Sequence, residues 1–196
     1  MKIFNRIRDL LVKPEQTWQI IKDETDQNSL IRYALLLPLI PALSIFIGYS
    51  IVGLRVGDVG YFRMPLVNAF FSAIVGYFLT SLGIGIMGFL ILIVSNYFSI
   101  EGDIWSAIKL AVYSGTAPIL AGIFYLVPGI KILSVLGLYG TYILFLGVPK
   151  LFKAPREKEP TFVFFLVITA VIVLISIDFL ISQYIFGSLY SEIFTY

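Results

Sequence analysis

The run GIGIMG, Gly83 to Gly88, has the G-x-G-x-x-G spacing with which a dinucleotide-binding turn brings its backbone against a pyrophosphate. That use needs a strand before the run, a helix after it and an acidic residue about 20 positions on. Here the run sits in the middle of a charge-free stretch, and Glu101 arrives only where a helix through it would have ended. Glu101 and Asp103, one residue apart in SIEGDIW, are a second candidate, since two carboxylates can hold a divalent ion. No third ligand is close in sequence, and Asp103 is better placed to cap the helix that follows, beside its positive dipole end. Asp178 is the acidic residue set well inside an apolar run, so it is a candidate polar site, together with Tyr113. Counted from Thr161 it lies about 25 Å along a helix, at the level of the outer headgroups. A fourth group follows the uncharged stretch Leu138 to Pro149: Lys150, Lys153, Arg156 and Lys158 are typed and spaced to meet phosphate headgroups or an acidic partner.

The chain has no His and no Cys, which excludes thiol nucleophiles, disulfides, zinc–cysteine sites and imidazole acid–base chemistry. No catalytic set, metal site or cofactor is assigned. The expectation is a protein that is not an enzyme.

What must position these residues is set by an unusual composition. Of 196 residues, 59% are hydrophobic and 13% charged, where soluble domains have about 25% charged residues. A water-soluble fold of this size cannot hide that much apolar surface, so the solvent is lipid. A net charge of +2 gives no reason to expect nucleic acid as a partner.

A helix needs about 20 apolar residues to cross the hydrocarbon core. Charge-free runs and their boundaries predict helices at about 33–54, 68–97, 105–127, 132–148 and 161–186. Pro128 and Gly129 supply the turn between the third and fourth. Barrel strands would alternate in polarity, whereas these runs are apolar on every face. The expected architecture is all-α: a polytopic bundle of about five transmembrane helices over 31–196, preceded by a short amphipathic segment over 1–30.

That segment, MKIFNRIRDLLVKP, puts Ile3, Phe4, Ile7, Leu10 and Leu11 on one helical face and Lys2, Arg6 and Lys13 elsewhere. It predicts a basic helix lying in the headgroup layer, ended by Pro14 and followed by a second short helix carrying Trp18. With five crossings, eleven Lys and Arg fall on one side and three on the other. The positive-inside rule then places the N-terminus in the cytoplasm and the C-terminus outside a plasma or inner membrane. The first apolar run is full spanning length and reads as a retained helix, not a cleaved leader.

Small residues recur at four-residue intervals within the spans. Ser72, Gly76 and Thr80 form one row, Ser81 and Gly85 a neighbouring one, and the third helix repeats the device with Ala107, Ala111 and Gly115 and again with Ser114, Pro118 and Gly122. Such rows let backbones approach closely in lipid, and they predict helices two and three as a central pair. Pro38, Pro41 and Pro118 are expected to kink their helices.

Three stretches, KPEQTWQII with Pro14 and Trp18, AVYSGTAPIL with Tyr113, Ser114 and Pro118, and GLYGTYILFLGVPKLFKAPREK with Tyr139, Tyr142, Gly147, Pro149, Lys150, Pro155 and Lys158, resemble the Yip (Ypt/Rab-interacting protein) domain family, its prokaryotic branch most closely. The resemblance covers about residues 5–180. It implies five helices with a cytoplasmic N-terminus and makes Pro14 and Trp18, with the basic cluster, candidate contacts for a partner or lipid. Eukaryotic members are associated with prenylated small GTPases. This sequence keeps only Leu138-Tyr139-Gly140 of their Asp-Leu-Tyr-Gly-Pro motif, so small GTPase binding is not expected. The expected partners are the bilayer, with anionic lipids, and a membrane protein or a second copy. The expected role is a scaffold or membrane-organising protein; a small transporter, channel or lipid scramblase is the alternative.

Overall fold

Uninterrupted apolarity carries five helical segments of this chain to spanning length: Gln27–Val52, Leu66–Tyr97, Ile104–Leu126, Pro128–Leu151 and Glu159–Ile185. The structure, a computed structural model, describes residues 3–56, 60–155 and 157–193. Ahead of the spans come α1 (Ile3–Val12) and α2 (Pro14–Asp23), the second opening on a proline that needs no amide partner at its first position.

The first span combines α3 (Gln27–Leu36), α4 (Leu39–Ile47) and a π-helical turn at Gly48–Val52, with the break at Leu37 and Pro38. Asp26 caps it, accepting from the Ser29 amide at 3.2 Å. Gly53, at φ 84°, then reverses the chain into β1 (Leu54–Val56), which pairs antiparallel with β2 (Gly60–Phe62). This two-stranded hairpin departs from the purely helical expectation. It lies outside the spans, where a sheet edge meets no hydrocarbon.

The second span is one helix, α5 (Leu66–Tyr97), unbroken through Gly83–Gly88. Its 32 residues measure about 48 Å, well beyond a core of about 30 Å. Helices two and three, expected as a central pair, pack on each other, but they are not equally buried. The third span has the lowest mean hydropathy of the five, 1.5, and the largest buried share, 61%. For α5 the buried share is 28%. The third span is therefore the axis. Beside it, α5 packs against spans one, three and five.

That third span divides into α6 (Ile104–Ser114), α7 (Thr116–Ala121) and a 3-10 turn at Gly122–Leu126. The break follows from Pro118, whose ring cannot sit under the Ser114 carbonyl of a continuous helix. The fourth span starts as a 3-10 helix, Pro128–Leu138, before α8 (Tyr139–Leu151). Eleven residues of 3-10 helix reach about 22 Å, against about 16 Å as α-helix, so a short sequence still crosses. Glycines allow the thin segment to press on the bend. A Cβ at Gly137 would meet Pro118 Cα at 2.7 Å, and one at Gly140 would meet the Ser114 carbonyl oxygen at 2.6 Å. The fifth span is α9 (Glu159–Ile193).

Candidate functional site

At one end of the bundle, α1 and α2 are folded into the core. Leu10, Trp18 and Ile21 are fully buried, and α2 packs along α8. Two expectations are corrected. Arg6, expected on the headgroup-facing side of α1, is 5% exposed, whereas Phe4 is 83% exposed. Pro14 and Trp18, expected on a contact surface, are inside the fold. The physical reason is Gly147: a Cβ there would stand 2.6 Å from the indole and 2.7 Å from Leu110, so its absence makes a slot the ring fills. The Trp18 indole N–H donates to the Ile143 carbonyl at 2.9 Å.

The polar groups at this end pair with one another, apart from Arg6 Nη1, which has no hydrogen-bond partner among the described residues. Arg6 pairs with Glu24 and lies over the Tyr113 ring, 5.5 Å from its centroid. Tyr113 meets Trp18 edge-on and Tyr33 at a tilt, and the Tyr33 hydroxyl is 2.8 Å from that of Thr116. From α6, Lys109 donates to the carbonyls of Ile21 and Glu24 at the C-terminal end of α2, where a cation also complements the dipole. Sequence reasoning missed Arg6, Glu24, Lys109, Tyr33 and Thr116. They come from α1, the C-terminal cap of α2, α3, α6 and α7, and no spacing joins them.

Of the basic cluster, Lys150 faces Glu15 at 3.8 Å, and Lys158 donates to the Phe98 carbonyl at the end of α5, at 3.1 Å. Lys153 is exposed. Arg156 lies outside the described residues. Tyr139 donates to the Leu11 carbonyl at 3.0 Å, a further tie to the N-terminal helices.

Asp103 caps α6, accepting from the Ser106 amide at 3.2 Å. Its hydrogen bonds with Ser106, the side-chain one foremost, hold the carboxyl below its ordinary range. A lowered folded-state pKa contributes stability above the unfolded value of about 3.9 and loses it as pH falls through the folded value. Asp103→Ala is expected to cost about 1 kcal/mol at neutral pH in thermal unfolding of the detergent-solubilised protein. The difference from the parent should shrink below about pH 4.

The small-residue rows do not serve a single interface. A Cβ at Gly76 would meet Ile45 of the first span at 2.9 Å, and one at Gly83 would meet Ile177 of the fifth at 3.0 Å. Gly88 faces Ile108 and Ala111 of the third, whereas a Cβ at Gly85 would meet nothing within 4 Å. Gly85, expected as a packing residue, instead lines a small gap between spans one, two and three. Ser72 is buried against Met64, Thr80 lines a larger cavity, Ala111 is in the core, and Gly115 with Pro118 forms the bend.

That larger cavity, about 500 Å³, opens between spans two, three, four and five where the bend and the 3-10 helix leave space. Its lining is apolar, with Met87, Leu144, Val171 and Leu174 among its walls and Asp178 at one end. Asp178 accepts a hydrogen bond from Tyr125, a buried residue near the end of the third span. The two candidate polar residues are thereby separated. Tyr113 belongs to the cluster beneath α1 and α2, and Asp178 pairs with a residue twelve positions further along the third span, about 18 Å as helix. The buried Ser44, Ser95 and Ser114 donate to carbonyls of their own helices.

Comparison with known proteins fits this arrangement. The family model described as the Yip1 domain matches residues 8–177. The chain is 24% identical over 159 residues to the inner membrane protein YohC of Escherichia coli strain K12, covering 78% of this chain and 82% of that one, and equally to YohC of Escherichia coli O6:H1. No solved structure matches.

Proposed function

The chain belongs to the Yip1 domain family of integral membrane proteins, and from that premise we propose that it is a non-enzymatic, membrane-organising protein that contacts anionic lipids or a protein partner at its N-terminal end. The observation that carries this reading is that α1 and α2 are part of the bundle. They make a fixed platform with exposed Phe4, Val12, Ile20, Lys13 and Lys153. Apolar and cationic side chains on one rigid end suit a headgroup layer. The excess of Lys and Arg on that side, eleven against three with five crossings, supports a cytoplasmic position for it in an inner or plasma membrane. Pairing tempers the charge. Lys150 and Lys158 are engaged within the fold, whereas Lys13 and Lys153 are among the exposed cations that carry the attraction.

Replacing both Lys13 and Lys153 by Gln should weaken the preference for anionic over zwitterionic lipid by about 2 kcal/mol in reconstituted vesicles, near 1 kcal/mol per lysine. The readout is the immobilised fraction of spin-labelled lipid of each kind. An unchanged preference in a correctly folded double variant removes the lipid half of the reading, leaving a protein partner. The cavity favours a second reading, movement of lipid between leaflets. Transfer of a fluorescent lipid across the same vesicles, above that of protein-free ones, would replace the first reading by the second.

A further inference from the structure

The cavity has the attributes of a ligand site rather than of a packing defect. Its volume of about 500 Å³ falls within the range of about 300–1,000 Å³ usual for small-molecule pockets. It is also built: it opens beside the Pro118 bend, where glycine contacts hold the 3-10 helix against that bend. Val171 lines the wall and itself lies outside the core cluster, to which its neighbours Ala170 and Val173 contribute.

The polar end is equally specific. Asp178 is the charged residue among the lining groups. Tyr125, buried and donating to one carboxylate oxygen, fixes the side chain at the end of the cavity. Asp178 lines the cavity and is exposed, so the fold does not close off its remaining acceptor positions. An ionised carboxylate only accepts. Its complement is a cationic donor, and near lipid that pairing is far stronger than in water. An anionic head would be repelled at the same spot.

We propose that this cavity binds a single-chain amphiphile bearing an ammonium group, its chain along the apolar wall and its nitrogen on Asp178. The site is separate from the N-terminal platform and stands or falls independently of the function proposed for it. Asp178 supplies the charge, and Tyr125 is a positioning residue.

The test uses the full chain in a non-ionic detergent, with two fluorescent probes of equal chain length, an alkylammonium and an alkyl sulfate. The ammonium probe should bind at least about tenfold more tightly, the gain expected of one hydrogen-bonded charge pair. Asp178→Asn should bring the ammonium probe to the level of the sulfate, and Tyr125→Phe should weaken it several-fold. Val171→Phe, which narrows the cavity at the wall where the chain lies, should weaken binding of both several-fold. Thermal unfolding of each variant confirms the fold, and the Tyr125 and Val171 variants keep the test decisive if Asp178→Asn fails to fold. Equal affinity for the two heads, ammonium binding unaffected in Asp178→Asn or Tyr125→Phe, or affinities unchanged in Val171→Phe would overturn the proposal.

Discussion

Trp18→Ala should lower the stability of the protein by about 3–5 kcal/mol, the range for deleting a large buried aromatic. The indole is fully buried, and its slot is bounded by Gly147, Leu110 and Tyr113, none of which can follow it into the space left behind. The substitution also strips the Ile143 carbonyl of its donor, at 2.9 Å. Trp18→Phe keeps most of the packing and loses the hydrogen bond, so its cost should be nearer 1–2 kcal/mol. Gly147→Val attacks the same contact from the other side. Its Cβ would start 2.6 Å from the indole, and overpacking of this kind costs about 1–3 kcal/mol. Both Trp18→Ala and Gly147→Val should release α1 and α2 from the bundle. Thermal unfolding in detergent reads the energy, and proteolysis near Glu24 and Thr25 reads the release. A Trp18→Ala protein within 1 kcal/mol of the parent and equally protease-resistant would mean that α2 is not held by this slot.

The five spans were legible because lipid imposes one crude requirement on sequence, length without charge, and five segments meet it. What the requirement does not encode is the path of the backbone within a span. The first half of the fourth span is apolar enough for either helix, and its 3-10 form depends on Pro118, in another span, pressing against Gly137. Small-residue rows fared similarly. A four-residue repeat marks a face fit for close approach, but α5 turns Gly76, Gly83 and Gly88 to three different neighbours, and Gly85 to a gap. The N-terminal helices were misplaced for a further reason. An amphipathic pattern states that one face is buried, without stating whether lipid or protein buries it. Arg6 decided the matter through Glu24, eighteen residues away, and through Tyr113 in the third span. Asp178 was legible as an oddity in an apolar run, yet its partner Tyr125 is 53 residues distant.

That long-range pair at Arg6 makes the second large prediction, and its interest lies in an asymmetry. Arg6 is 5% exposed, and its Nη1 has no hydrogen-bond partner among the described residues. One carboxylate, that of Glu24, and the face of Tyr113 are therefore what offset the loss of water around a full charge. Removing Glu24 strands that charge, and Glu24→Ala should cost about 3 kcal/mol, the lower end of the range for breaking a buried pair because the Glu24 side chain is itself 31% exposed. Removing Arg6 instead leaves a carboxylate that can turn to solvent. Arg6→Met keeps the apolar bulk against Tyr113, gives up a cation–π contact of about 1 kcal/mol and abolishes the unsatisfied nitrogen, so the net cost should be about 1 kcal/mol or less. The double variant should then resemble Arg6→Met alone, recovering about 2 kcal/mol relative to Glu24→Ala, a coupling that thermal unfolding of the four proteins in one detergent measures directly. If the two single variants prove equally destabilised and their effects simply add, the pair is an ordinary surface ion pair, and what holds α1 to the bundle is its apolar face alone.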